Sequence, residues 1–131
     1  MSEENVEVVR RAYAEFEQGN YWVPEFFDPN VRVRWLDAVG LESETVGLQA
    51  MSDHMLSWLE VYGDMRLAAE RIIDAGDQVV VFVRWHGAGK ASGVPTEWSQ
   101  VVVWTTRDGR AISVATYRDP AEALKAAGLQ E

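Results

Sequence analysis

Asp37 and His54 are the two side chains whose type and setting suit proton transfer. Over Val31 to Asp37, strand alternation puts Asp37 on one face with Val33 and Trp35, and Arg32, Arg34 and Leu36 on the other. A carboxylate among apolar groups has its charged form disfavoured, which lifts its pKa toward that of a working base. The alternative is a strand-end Asp that accepts hydrogen bonds from the following loop. His54 falls between Met51 and Trp58 at spacings of three and four, which sets it in the apolar stripe of a helix. An imidazole there can carry a proton or donate to a developing oxyanion, or it can be a bonded residue of a pocket wall or rim. The chain has no cysteine, so disulfides, thiolate nucleophiles and cysteine-based zinc sites are excluded. His54 and His86 are 32 positions apart and expected on opposite faces, so no metal site and no cofactor are expected. The glycines of Gly87 to Gly93 lack the helix start and the Gly-Lys-Ser/Thr ending that phosphate cradling needs, and read as a hairpin.

Bulk properties narrow the partners. A chain of 131 residues fits one domain, expected over residues 1–131, and is long enough to build a core without staples. Its net charge of −9 argues against a nucleic-acid partner and against anionic membrane surfaces. The first residues are acidic and no apolar run reaches 18, so a cytoplasmic protein acting on a small molecule or on another protein is expected.

The elements that must position these side chains follow from periodicity. Val6, Val9, Tyr13 and Phe16 mark one face of a first helix that Gly19-Asn20 stops. Tyr21 to Phe27 reads as a short second helix before an Asp28-Pro29-Asn30 turn, and Val31 to Asp37 as a strand. Leu48, Met51, Met55, Trp58 and Tyr62 define a third helix from about Gly47 to Val61. Four strands follow, near 65–73, 78–86, 97–106 and 111–117, with an Asp108-Gly109 hairpin turn before the last. Asp119-Pro120-Ala121-Glu122 opens a closing helix that Gly128 ends. Early helices and late hairpin-linked strands give an α+β domain, one antiparallel sheet with helices on one face. Val79 to Val83 and Val101 to Trp104 are apolar on both faces, so something must cover the second face.

The order of several stretches resembles the nuclear transport factor 2-like superfamily, in its SnoaL-like and ketosteroid-isomerase-like branch. They are Val8-Val9-Arg10-Arg11-Ala12-Tyr13, Gly19-Asn20, Phe27-Asp28-Pro29-Asn30-Val31, Gly47-Leu48-Gln49-Ala50, Asp74-Ala75-Gly76-Asp77, Val103 to Arg110 and Glu122-Ala123-Leu124. The resemblance spans nearly the whole chain. It implies a cone-shaped α+β barrel in which a strongly bent sheet wraps around helices and an internal pocket. Relatives include isomerases, cyclases, dehydratases, epoxide hydrolases and non-catalytic modules, so function must come from the pocket.

Within the resemblance, Leu36-Asp37-Ala38-Val39-Gly40 looks like the stretch that carries the general base of ketosteroid isomerases. His54 occupies a helical position that tends to line the pocket. The isomerases' oxyanion tyrosine matches Ala12, with Tyr13 one residue round. Their second oxyanion donor falls near Val101, which cannot donate, so true steroid isomerisation is not expected. Thr116 stands where the epoxide hydrolases have their last Asp, and that chemistry is disfavoured too. Tyr13, Trp35, Met51, Met55, Trp58, Val101, Thr116 and Arg118 are the expected pocket lining. The reading is a SnoaL-like pocket protein for an apolar small molecule, open between a cofactor-independent acid–base enzyme and a non-catalytic binding or interaction module. A homodimer is expected from an apolar outer sheet face of Val80, Phe82, Val102, Trp104 and Tyr117.

Overall fold

The computed structural model describes residues 2–36 and 41–129. Asp37, expected as the base, lies outside the described residues. Helix α1 (Ser2–Glu17) buries Val9 and Tyr13 and packs Val6 and Phe16 against the same core. It ends where Gly19 takes a φ of 90°, which lets the Asn20 N–H reach back to the Glu15 carbonyl at 3.0 Å.

The helix expected over Tyr21 to Phe27 is only a three-residue 3-10 turn, Pro24–Phe26. Tyr21 and Val23 explain why. Both point into the core, Tyr21 donating its hydroxyl to the Met65 carbonyl at 3.1 Å and Val23 fully buried. Two inward side chains two residues apart fit extended backbone, not a helix. Strand β1 (Phe27–Leu36) takes in Asp28-Pro29-Asn30, expected as a turn. Pro29 falls where the pairing of β1 shifts register between Phe27 and Arg32, so its missing N–H interrupts no regular ladder. A strand not anticipated from the sequence, β2 (Glu42–Val46), pairs antiparallel with β1.

Helix α2 (Leu48–Val61) starts after Gly47, whose φ of 95° and ψ of 160° suit only glycine. Then come β3 (Tyr62–Ala75), β4 (Gln78–Gly89), β5 (Pro95–Arg107), β6 (Arg110–Tyr117) and α3 (Pro120–Ala126). The six strands form one sheet in the order β2-β1-β6-β5-β4-β3. It is not wholly antiparallel as expected, because β1 and β6 run parallel. Two register shifts in β3 bend the sheet around α1 and α2.

The two sheet faces bury different residues. Toward α1 and α2 point Val79, Val81, Val83 and Trp85 of β4 with Val102 and Trp104 of β5. On the far face Val80, Val101 and Val103 lie buried with Ala123 and Ala127, so α3 is the cover that the doubly apolar strands required. Val102 and Trp104 thus face inward rather than outward, and Val101 faces α3 rather than the pocket. The bare face expected to drive a homodimer is therefore not present in that form: of its five expected residues Val80 is covered, Val102 and Trp104 face inward, and Phe82 and Tyr117 are part-exposed. No helix among the described residues is long and apolar enough to cross a membrane.

Candidate functional site

A cavity of about 110 Å³ lies between the inner sheet face and the two long helices. Helix α2 contributes Met51, Met55 and Trp58, one stripe at helical spacing, and Tyr13 comes from α1. Alternation along β1 sends in Val33 and Trp35, and along β6 Val114 and Thr116. Trp85, Gln100, Val102 and Trp104 complete the sheet side. Trp22, 49% exposed, stands at the solvent side of the lining. The rings meet edge to face or tilted, with Trp58 5.8 Å from Trp35 and 5.9 Å from Trp85. Among the described residues the lining holds no carboxylate, imidazole, ammonium or guanidinium. Nor is there among them a cluster of three His, Asp or Glu side chains that could hold a metal ion.

The polar atoms of the lining are mostly committed to one another. The Trp104 indole N–H donates to the Tyr13 hydroxyl at 3.1 Å. Burial pushes the Tyr13 phenol far above its ordinary value, and the bond from Trp104 offsets only part of that. Gln100 is buried, with its carbonyl oxygen accepting from Trp85 Nε1 at 3.1 Å and its amide nitrogen donating to the Leu36 carbonyl. Those partners fix the amide, because an indole only donates and a carbonyl only accepts. Trp35 donates through Nε1 to Thr45 Oγ1 at 2.9 Å, so the unanticipated β2 sets the angle of a cavity ring. Thr116 is 8% exposed, and its hydroxyl has no hydrogen-bond partner among the described residues.

The expected lining residues divide accordingly. Tyr13, Trp35, Met51, Met55, Trp58 and Thr116 lie on the cavity. Val101 does not, because β5 runs one residue out of the expected phase. Facing α3, Val101 takes no donor away from the pocket. Arg118 is exposed just past the end of β6, where alternation no longer holds. His54 is outside the lining and half-buried, stacked on Trp35 at 4.3 Å between ring centroids, with Nε2 3.5 Å from Ser43 Oγ. Arg84 and His86 lie on the outer face as expected, Arg84 between Glu70 at 3.2 Å and Glu97 at 2.5 Å. His86 pairs with the same Glu97 at 3.2 Å.

Gln100, Val102 and Trp104 were missed, although a signal for them existed. Trp98 alternates with the polar Glu97 and Ser99, and carrying that phase forward puts Gln100, Val102 and Trp104 inside.

A bent six-stranded sheet around an internal pocket defines the nuclear transport factor 2-like, ketosteroid-isomerase-like class of α+β proteins. Within that class the chain belongs to the SnoaL-like domain family, whose model matches residues 9–114. An NTF2-like protein of unknown function from Burkholderia pseudomallei K96243 is 25% identical, with a TM-score of 0.77 over 93% of this chain and 95% of that one. TerC, co-crystallised with polyporic acid, is 24% identical, with a TM-score of 0.73 over 95% and 98%. A protein of ketosteroid isomerase-like fold from Catenulispora acidiphila DSM 44928, in complex with trimethylamine, is 18% identical, with a TM-score of 0.70 over 94% and 93%. No curated protein matches the sequence.

Proposed function

We propose that the chain binds an uncharged, apolar small molecule in the aromatic cavity and performs cofactor-independent acid–base chemistry on it, of isomerase, cyclase or dehydratase type. Asp37 is the base and His54 the neighbouring proton carrier. The observation that carries the reading is the cavity itself, lined by rings and methionines with few polar atoms, as small-molecule sites are. Its uncharged walls oppose entry of a bare ion. Asp37 is next in sequence to Leu36, whose carbonyl is held by the cavity residue Gln100. His54 stacks on Trp35, which lines the cavity.

A second reading, a non-catalytic binding module, is favoured by the absence of any acid or base from the described lining. One experiment separates the two. Hits from a polyketide, steroid and terpenoid library, found by thermal shift, are assayed for turnover with wild type, Asp37→Asn and His54→Gln. The enzyme reading expects Asp37→Asn to keep binding and lose about 10²–10⁴ in rate. Undiminished turnover in both variants would remove the catalytic assignment, and binding without any turnover would establish the module. A homodimer retains only the part-exposed Phe82 and Tyr117 in its support, and light scattering at micromolar concentration tests it.

A further inference from the structure

We propose that Gln100 and Thr116 form the polar end of the cavity and select a neutral, flat, single-ring ligand carrying an acceptor oxygen, a ketone or comparable carbonyl. The inference rests on the small-molecule reading above and names the ligand class for it.

The placement comes from the sheet. Val102 pairs with Thr116 across β5 and β6, so Gln100 and Thr116 are diagonal neighbours on the inner face, with backbones about 7–8 Å apart. Strand β6 lies between β5 and β1. The Gln100 amide that reaches the Leu36 carbonyl on β1 therefore passes the carboxyl-terminal end of β6, where Tyr117 is the last strand residue. With its oxygen taken by Trp85 and one N–H taken by Leu36, Gln100 keeps a second N–H. The Thr116 hydroxyl faces the cavity with no partner among the described residues, and keeps access to the open cavity space. A ligand that fills the cavity takes that hydroxyl out of water, so a ligand able to bond it is favoured over one that cannot.

Gln100 decides the sign of that ligand. What it has left is a donor, and a hydroxyl can turn to donate beside it, so the complement is an acceptor. A trialkylammonium offers only a donor and leaves the amide N–H unmet. Size sets the scale, since an apolar cavity of about 150 Å³ takes up benzene and this one holds about 110 Å³. The fit is one ring, with any further part of the ligand passing Trp22 toward solvent.

Three probes of similar shape test this by calorimetry: acetophenone, isopropylbenzene and phenyltrimethylammonium. Wild type should bind acetophenone tightest. Thr116→Val keeps the shape and removes an unpaired hydroxyl, so its melting temperature should hold or rise. It should weaken acetophenone about five- to tenfold, the worth of one neutral hydrogen bond, and leave isopropylbenzene unchanged. Thr116→Ser should keep the acetophenone preference. Equal binding of acetophenone and isopropylbenzene by wild type, or no loss in Thr116→Val, would overturn the polar subsite while the pocket stands. Tightest binding of phenyltrimethylammonium would overturn the ligand class. If none of the probes binds while a library compound does, the ligand class named here fails and the small-molecule reading stands; if the library gives no hit either, that reading fails as well.

Discussion

The two faces of the same sheet solve burial in opposite ways. On the inner face rings stand among the valines, with Trp104 meeting Tyr13 of α1 edge to face and Phe27 at a tilt, and Trp85 meeting Trp58 of α2 edge to face. On the outer face Val80, Val101 and Val103 pack with Ala123 of the seven-residue α3 and its C-cap Ala127, and with part-buried side chains such as Ile73 and Leu124. Branched aliphatics against alanines close without a gap, whereas rigid rings set edge to face leave space between them. Beyond α3 the outer face turns to charge, with Arg84 bridging Glu70 and Glu97. Alternation in β4 and β5 thus separates a face that can hold a ligand from one that only closes the fold.

The largest test of this contrast is Trp104→Ala. Trp104 is 2% exposed, and its loss should cost about 3–5 kcal/mol in urea unfolding. A cost near that of a surface substitution would mean that the ring face is not a packed core. Tyr13→Phe comes next, at about 1–3 kcal/mol, because it leaves the Trp104 N–H buried without an acceptor. That variant also has a pH signature. The Tyr13 phenol titrates well above 10.0 when folded, so its contribution is fully present below about pH 10. It is lost at higher pH, as the unfolded phenol ionises and the folded one does not. Thermal melts of wild type should therefore fall more steeply above pH 10 than those of Tyr13→Phe. The smallest effect belongs to the outer face. Asp119 caps α3 by accepting the Ala121 N–H at 2.9 Å, and Asp119→Ala should cost about 1 kcal/mol. Hydrogen exchange should show that loss in α3 and not in the inner strands.

The fold was legible in the sequence wherever one period dominated. Met51, Met55 and Trp58 give α2 and its cavity stripe together, because a single helical face serves both. The phase of β5 was harder to read, since Val101-Val102-Val103-Trp104 is apolar at every position and carries no inside and outside of its own. β2 escaped because Glu42-Ser43-Glu44-Thr45-Val46 is an edge strand with almost nothing to bury. Yet that strand holds Trp35 through Thr45, so part of the pocket's geometry depends on residues with no apolar signature. The inward phase of Gln100 could be carried forward from Trp98, but its role could not. A buried amide is recognised by its partners, and Trp85 and Leu36 lie on other strands. Asp37, expected as a base from its neighbours Val33 and Trp35, lies outside the described residues.

The parallel pairing of β1 with β6 also dictates an order of events in time. On a growing chain β1 and β2 emerge early and can meet as a pair, but the neighbour that joins them to the rest of the sheet is the last strand made. The β3–β4–β5–β6 meander can assemble through its hairpins while the amino-terminal pair waits. Completing the sheet then closes a loop spanning most of the chain, a non-local step that slows folding relative to the hairpins. Until then the amino-terminal pair exposes an unsatisfied strand edge, and a ribosome stalled before Arg110 would leave the nascent chain open to aggregation along β1.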